Sequence, residues 1–272
     1  MNKLSFFTRL LAYSLVNPKV GKQLLVAKYQ SWQDSHMQSL LNYKQKDSSL
    51  EDIIKRLFPH ENISITELKK NTAILQNHIN DFFNSLKNEN YPSKKKPYPL
   101  DYALDDRSGL FLYILCKITK PDKVLETGVA YGLSSMYVLQ ALSENNKGML
   151  YSIDGIFTPW QSKETIGKAI PSHLRERWKL IIGVSSEKLN ETLSSIGTVD
   201  IFFHDSLHTY KNMMFEFDTT WPFIRKNGFL VSDDISSNNA FYEFHSKLQI
   251  EPLILSQKEN TFLGILKKQS TF

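Results

Sequence analysis

The sequence predicts an α/β fold, with a doubly wound, mostly parallel, seven-stranded sheet and helices on both faces. Past residue 98, five short apolar runs rich in β-branched and aromatic residues alternate with stretches mostly long enough for helices. Such alternation is typical of a parallel sheet covered by helices. Two further runs, EPLILS and TFLGILKK, are separated only by the polar QKEN and predict a C-terminal antiparallel hairpin. The five runs are KVLET (123–127), MLYSI (149–153), KLII (179–182), VDIFFH (199–204) and GFLVS (228–232).

We predict that residues 1–97 form a helical cap or dimerisation region and that residues 98–272 form the main domain. Ser64 and Glu67 form a capping-box signature before apolar residues at helical spacing, which predicts one amphipathic helix. Ser48 and Glu51 repeat the signature before LEDIIKRLF, and the first 45 residues predict one or two more helices. The stretch LDYALDDRSGLFLYILCKI predicts a helix before the first strand. The aromatic and basic residues 1–15 also suit contact with a membrane surface, although packing against the core or a partner is the simpler interpretation.

The charge distribution argues against a nucleic-acid-binding main domain. The chain has a net charge of +5, but residues 1–97 hold 15 Lys and Arg against 8 Asp and Glu, whereas the remaining residues hold 18 against 20. The one basic run, residues 94–96, stands in YPSKKKPYP, whose prolines predict a linker. We therefore expect no nucleic acid among the partners.

The sequence predicts a cytoplasmic protein without stable membrane insertion. No apolar run approaches the ~20 residues needed to span a bilayer. Arg9 interrupts the first apolar stretch and no small-residue cleavage site follows it, unlike in a secretory signal. The single cysteine, Cys116, stands in LFLYILC, which predicts a buried thiol and fits a reducing compartment.

A glycine loop follows the first strand of the predicted sheet. Gly128 and Gly132 bracket a tight turn into a helix, whose free N–H groups and dipole can receive an anion. The spacing G-x-x-x-G differs from the G-x-G-x-x-G of dinucleotide-binding proteins, and Glu126 precedes the loop. Asp154 ends the second strand, where a carboxylate can accept hydrogen bonds from ribose hydroxyls. Ser185 and its neighbour Ser186 follow the third strand in GVSSE.

Three carboxylates follow two neighbouring strands. Asp205 ends the fourth strand in HDSLH, and Asp233 and Asp234 end the fifth in VSDDI. Like charges at one sheet edge repel unless a cation lies between them, and carboxylate ligands favour Mg²⁺, Mn²⁺ or Ca²⁺. The alternative is that Asp233, Asp234 or Ser236 caps the following helix.

Other polar and aromatic residues around this edge have two interpretations each. His208 could take a proton from a substrate hydroxyl near neutral pH, or could be a surface or capping residue; Lys211 is a second candidate for the base. His204 is expected to pack within the strand or to hydrogen-bond behind a metal ligand. Trp160 could stack against a cofactor or substrate, or could belong to the core.

Five segments together resemble the class I S-adenosylmethionine-dependent methyltransferases, over roughly residues 100–268. They are E-T-G-x-x-x-G-L-S after the first strand, YSIDG, GVSSE, FFHDSLH and KNGFLVSDDI. Within that class the chain is most similar to the metal-dependent O-methyltransferase branch, which includes the catechol, macrocin and cephalosporin-hydroxylase-like groups. The N/D-P-P-Y stretch of amino-methylating nucleic-acid enzymes is replaced here by HDSLH.

The resemblance implies O-methylation of a hydroxyl on a small molecule or sugar by a homo-oligomeric enzyme. The alternative is a protein of the same fold that binds S-adenosylmethionine and a metal but is non-catalytic or catalyses a different reaction. The carboxylates would hold a divalent metal, usually Mg²⁺, and Asp234 stands where the catechol type has Asn. The residues implied for the cofactor are Glu126, Gly128 and Gly132 in the loop, Ser134 at the methionine carboxylate, Asp154 at the ribose, and Ser185 and Ser186 at the adenine.

Overall fold

The N-terminal region contains five helices among its described residues. The computed structural model describes residues 3–38, 40, 43, 47–100, 104–257 and 261–269. The N-terminal helices are α1 (Lys3–Val16), α2 (Pro18–Ser35), α3 (Leu50–Leu57), α4 (Ile65–Asn71) and α5 (Ala73–Leu86). The expected one or two helices of the first 45 residues are therefore confirmed.

The rest of the described chain alternates strands with helices, as the sequence predicts. The elements are β1 (Asp47–Ser48), α6 (Asp106–Thr119), β2 (Lys123–Thr127), α7 (Leu133–Glu144), β3 (Met149–Asp154), β4 (Trp178–Ile182), α8 (Ser185–Ile196), β5 (Val199–His204), α9 (Tyr210–Thr220), β6 (Ile224–Ser232), α10 (Ala240–Lys247), β7 (Leu253–Ser256) and β8 (Phe262–Lys267). Short 3-10 turns cover residues 163–165, 172–177 and 221–223.

The sheet has the strand order β1-β7-β8-β6-β5-β2-β3-β4. Strands β2 to β6 pair in parallel, while β8 runs antiparallel to both β6 and β7, which confirms the predicted hairpin. Seven of these strands are the predicted ones. The eighth, β1, is an addition: two residues of the N-terminal region pair in parallel with β7 at the edge. A two-residue strand has no periodicity by which a sequence could reveal it.

Two details of the N-terminal helices differ from the prediction. The single helix predicted after Ser64 is interrupted at Thr72, so that α4 and α5 are separate. The cap of α3 is Ser49, whose Oγ accepts from the Asp52 N–H at 3.0 Å, and not the predicted Ser48. Ser48 cannot serve because its backbone belongs to β1.

Each face of the sheet packs against its own apolar core. The alternation along β5 shows the division, because Ile201 and Phe203 face the first core whereas Phe202 faces the second. Helices α6 and α7 build the first core together with α3 and α5, and helices α8, α9 and α10 build the second. Cys116 is buried in α6, as expected. The N-terminal helices thus share a core with the sheet, and the predicted boundary at residue 97 remains a prediction.

Helices α1 and α2 lie against segments that follow the carboxyl ends of the strands. Phe6 of α1 packs against Trp160, in the segment after β3, with 5.1 Å between ring centroids. In α2, Gln23 donates to Glu187 near the start of α8 at 3.0 Å. The Asp34 carboxylate accepts from the backbone N–H of Tyr210, the first residue of α9, at 2.8 Å. The two helices therefore cover the carboxyl edge of the sheet. No helix among the described residues has the length and apolarity needed to cross a membrane.

Candidate active site

The glycine loop brings the end of β2 against the end of β5. Gly128 has a φ of +84°, and a Cβ at this position would lie 1.8 Å from the backbone oxygen of Asp205. Gly132 has a φ of +93° and a virtual Cβ 2.7 Å from Cγ1 of Ile170. Both positions therefore require glycine, for left-handed backbone and for close packing within the protein. The first contact also joins the predicted cofactor loop to the predicted metal ligand Asp205.

Glu126 lies buried at the end of β2 and is held by three hydroxyls. Its carboxylate accepts hydrogen bonds from Ser134 at 2.5 Å, Ser135 at 2.6 Å and Ser152 at 2.7 Å. Burial raises the pKa of Glu126, and the three donors act in the opposite direction. The acid and Ser134, both predicted from the glycine motif, are thus in direct contact.

Asp154 ends β3 and is hydrogen-bonded to the glycine loop. Its Oδ2 accepts from the backbone N–H groups of Val129 at 3.1 Å and Ala130 at 2.9 Å, and its Oδ1 accepts from Gly155 at 2.7 Å. Burial raises the pKa of this carboxyl. Because a carboxylate offers about four acceptor sites, these three bonds leave capacity for a ligand hydroxyl.

The two serines after β4 have different surroundings. Ser185 is buried and donates to Oδ1 of Asn212 at 3.2 Å, whereas Ser186 is exposed. Asn212 in turn donates to the loop after β5, through the Leu207 carbonyl at 3.0 Å. Of the two serines, Ser185 is the one connected to the remaining candidate residues.

Asp205, His208 and Asp233 form one compact group of potential metal ligands. One ligand atom from each residue lies within 4.8 Å of the others. Burial, followed by the nearby Asp233, raises the pKa of Asp205, and burial together with Asp234 raises that of Asp233 to about 7. Asp233 also accepts from Nε2 of Gln257 at 2.5 Å. Each of these two carboxyls makes ionisation of the other less favourable. A cation bound between them would remove this repulsion.

Asp234 lies beside this group and contacts His208. Its Oδ2 is 3.3 Å from the imidazole Nδ1, while the imidazole Nε2 is 3.7 Å from Oδ1 of Asp205 and has no hydrogen-bond partner. Burial lowers the pKa of His208 to about 3, so the ring is neutral near pH 7. The sequence predicts three carboxylates as ligands and His208 as a base; the geometry brings His208 into the ligand group and leaves Asp234 next to it.

Glu216 is a site residue that the sequence interpretation missed. Fully buried in α9, it accepts hydrogen bonds from Thr127 at 2.5 Å, His204 Nδ1 at 2.6 Å and Ser206 at 2.7 Å. Burial alone would raise the pKa of Glu216, but the adjacent His204 and the donors lower it to about 2. One feature of the sequence could have indicated a buried acid: Glu216 stands between two apolar residues, Phe215 and Phe217, in a helical stretch. His204 is buried and hydrogen-bonded behind Asp205, as expected.

Lys211 and Trp160 lie at the borders of the site. Lys211 is exposed in the first turn of α9, three residues after His208. Trp160 is 6% exposed and packs on Phe6 of α1 with the two rings tilted by 38°. The same tryptophan lines a cavity of about 400 Å³ with Lys94 and Lys168.

The carboxyl edge of the sheet brings together acidic side chains that have no basic partner among the described Lys and Arg residues. Among the described residues, no Lys or Arg nitrogen lies within 4.0 Å of the carboxylates of Glu126, Asp154, Asp205, Asp233 or Asp234. Such an edge attracts cations. The residues therefore fit both a divalent metal and the positively charged sulfonium and ammonium groups of S-adenosylmethionine.

Comparison with known proteins identifies a domain within the chain. Residues 125–235 match a family model described as a methyltransferase domain. A search of curated proteins with the sequence found no significant match.

Three solved structures are among those similar to the chain, each with a TM-score of 0.51. An O-methyltransferase from Bacillus cereus, in complex with S-adenosylhomocysteine, is 13% identical and aligns over 84% of this chain and 100% of its own. TomG from Streptomyces achromogenes, an O-methyltransferase involved in tomaymycin synthesis and solved with S-adenosylmethionine, is 14% identical over 85% of this chain and 100% of its own. The methyltransferase PaMTH1 from Podospora anserina, bound to S-adenosylhomocysteine, is 14% identical over 86% and 100%.

At these identities the structural likeness shows the fold, and the family model adds the domain. The seven strands that the sequence predicts are all present in the sheet. Residues 125–235 thus match a methyltransferase domain, and the chain shares the fold of these solved methyltransferases.

Proposed function

We propose that the protein is an O-methyltransferase that uses S-adenosylmethionine and a divalent metal, Mg²⁺, to methylate a hydroxyl on a small molecule or sugar. One observation carries this proposal. The compact group of Asp205, His208 and Asp233 adjoins the glycine loop, because Gly128 directly contacts the Asp205 backbone. Methyl transfer requires donor and acceptor to be held in line at close range, and these two elements could hold one each.

The proposed cofactor site uses the side chains at the ends of β2, β3 and β4. Glu126, Gly128, Gly132 and Ser134 would receive the methionine end, and Asp154 would accept from the ribose. Ser185 and Ser186 would lie at the adenine. The spare acceptor capacity of Asp154 and the negative edge described above support this assignment.

The proposed metal site contains Asp205 and Asp233, with Asp234 or His208 as the third ligand. When bound, a divalent cation would lower the pKa of an acceptor hydroxyl and orient it. Asp205 and Asp233 supply negative charge, and Gln257 fixes the Asp233 side chain through its amide. A set of carboxylates alone favours Mg²⁺, Mn²⁺ or Ca²⁺, whereas an imidazole in the set moves the preference toward Fe²⁺ or Zn²⁺.

His208 is also the proposed proton acceptor, with Lys211 as the second candidate. Nε2 of His208 has no partner and the ring is neutral, which suits a metal ligand, whereas the lowered pKa of His208 makes it a weak proton acceptor near pH 7. The two roles exclude each other for the same nitrogen atom. If His208 is a ligand, Lys211 is the remaining candidate for the base.

Calorimetry with S-adenosylmethionine and S-adenosylhomocysteine tests the cofactor assignment. We expect binding of both, and the absence of binding at millimolar concentration would refute the proposal. A radiolabelled methyl donor, offered with catechols, sugars and small hydroxylated natural products, then tests the reaction with and without EDTA. Binding without transfer to any acceptor would favour the alternative, a non-catalytic protein of this fold.

The proposal also includes the location of the protein, its oligomeric state and the role of its N-terminal region. The protein would act in the cytoplasm as a homo-oligomer, with residues 1–97 as a cap on the catalytic part, residues 98–272. The contacts of α1 and α2 with the carboxyl edge support a covering role. Sedimentation velocity of the purified chain measures the oligomeric state directly.

A further inference from the structure

The outward surface of α1 is apolar. Leu4 is 77% exposed, Phe7 62%, Leu11 62% and Leu15 74%, and their spacing of three or four residues places them on one side of the helix. The opposite side carries Phe6, which packs on Trp160. The helix is therefore apolar on both its inner and outer sides, and only the inner side is covered.

The outward surface of α2 has the same character. Leu25 is 72% exposed, Tyr29 56% and Trp32 57%, again at spacings of four and three residues. The inner side of α2 holds the polar contacts with the main domain, among them Gln30 with Thr209 at 2.8 Å. We call these seven exposed side chains the outer face: Leu4, Phe7, Leu11, Leu15, Leu25, Tyr29 and Trp32.

The charged residues of α1 and α2 that precede Asp34 are all basic, and one of them, Lys19, pairs with Glu187 of α8 at 2.7 Å. Between residues 3 and 33 the chain has five Lys and Arg and no Asp or Glu. On α2, Lys22 and Lys28 are exposed and lie about 60° to either side of the line through Leu25, Tyr29 and Trp32, at 3.6 residues per turn. No carboxylate of the described residues pairs with either lysine. The first acid, Asp34, points inward to Tyr210.

The positive charge of Lys22 and Lys28 indicates what could cover the outer face. If a second copy covered the outer face, its own cationic rim would lie against the first, and like charges would repel. A surface of anionic lipid complements the lysines, accepts the leucines into its apolar boundary and suits Tyr29 and Trp32 at the headgroup level. We propose that the outer face docks the protein on an anionic lipid surface, with α1 and α2 lying in the plane of the interface.

Docking in this way would set the carboxyl edge of the sheet close to the lipid, because α2 contacts the first residue of α9. Binding to lipid does not depend on methyl transfer. It can be measured with the full chain and without a cofactor.

Co-sedimentation with vesicles tests the proposal. The full-length protein should sediment with vesicles of phosphatidylcholine and phosphatidylserine and stay in solution with phosphatidylcholine alone, and added salt should release it. The double variant Lys22→Gln/Lys28→Gln should lower the partition constant by roughly thirtyfold. The matched control is Lys69→Gln/Lys70→Gln, which removes the same charge from exposed positions of α4 and should bind as the wild type.

A second pair of variants tests the apolar part. Leu25→Ser and Trp32→Ser shorten exposed side chains, so thermal unfolding should be unchanged while vesicle binding falls about tenfold or more. Failure to bind anionic vesicles would overturn the proposal, as would equal losses in the two lysine double variants. A dimer in sedimentation velocity that dissociates in Leu25→Ser and Trp32→Ser would assign the outer face to a second copy instead.

Discussion

The Glu216 carboxylate lies 2.6 Å from Nδ1 of His204, and both side chains are fully buried beneath the tip of β5. The same carboxylate accepts from Thr127 at the end of β2 and from Ser206 in the loop after β5. One acid in α9 thus connects the strand before the glycine loop to the loop that carries Asp205.

Glu216 should make the protein sensitive to acid. Its pKa in the folded chain is about 2, against about 4.3 for an unfolded glutamate, so it contributes stability that is complete above pH ~4.3 and disappears as the pH falls toward 2. The shift corresponds to about 3 kcal/mol of unfolding free energy. Urea unfolding at a series of pH values should show this loss in the wild type, and Glu216→Gln should lack it.

The control for Glu216 is the exposed Glu61→Gln, whose curve should follow the wild type. If the free energy of unfolding falls equally in the wild type and in Glu216→Gln between pH 5 and pH 2, the ionisation of Glu216 does not contribute to the acid sensitivity.

Gly128→Ala should damage the cofactor loop and the acidic group together. A methyl group there would overlap the Asp205 backbone oxygen, and the φ of +84° is unfavourable for alanine. Gly197→Ala is the matched control, because Gly197 has a φ of +73° with no atom within 4 Å of a virtual Cβ. We expect about 1 kcal/mol of destabilisation for Gly197→Ala and several kcal/mol for Gly128→Ala, measured by chemical unfolding. Equal effects would mean that the contact with Asp205 relaxes freely.

Asp205→Asn should separate the metal site from a purely structural cluster. In the protein without metal, this change removes a carboxyl whose ionisation Asp233 opposes, so stability at pH 7 should be unchanged or higher. Addition of Mg²⁺ or Mn²⁺ should raise the Tm of the wild type but not of the variant, with metal affinity lowered by roughly tenfold to a hundredfold.

Asp218→Asn, an exposed acid 3.1 Å from Lys247, serves as the control and should respond to metal as the wild type does. Identical responses of all three proteins would exclude Asp205 as a ligand.

His208→Ala should distinguish a ligand from a base. Loss of a ligand would weaken Mn²⁺ binding in calorimetry, whereas loss of a base would leave metal binding intact and lower kcat by about a hundredfold or more. The compact group with Asp205 and Asp233 leads us to expect weaker metal binding. His173→Ala, at an exposed position, is the control. Wild-type metal affinity and wild-type turnover in His208→Ala would eliminate both roles.

The main sheet could be predicted because its strands are buried on both faces. Runs such as VDIFFH have no polar alternation, and their polar ends identify the edge where Asp154, Asp205 and Asp233 occur. The break at Thr72 could not be predicted, because residues on both sides of it keep the helical apolar spacing. Strand β1 forms only because β7 offers a free edge.

The composition of the acidic group was predicted only in part. Chain order identifies which residues follow neighbouring strands, but the direction of each side chain depends on the backbone after the strand. Asp234 has a φ of +47°, which no sequence pattern indicated, and its carboxylate meets His208. Glu216 was missed because it lies in α9, eleven residues past Asp205, and reaches the site only through tertiary packing.

The contact between Gly128 and Asp205 has an energetic consequence for the two binding events. If the loop shifted to receive the methyl donor, it would move against the backbone of a proposed metal ligand, and the hydrogen bonds of Glu216 to Thr127 and Ser206 join the same two segments. Donor and metal would then be coupled ligands. Such coupling is reciprocal: if the metal changes the affinity for S-adenosylhomocysteine by a given factor, S-adenosylhomocysteine changes the affinity for the metal by the same factor.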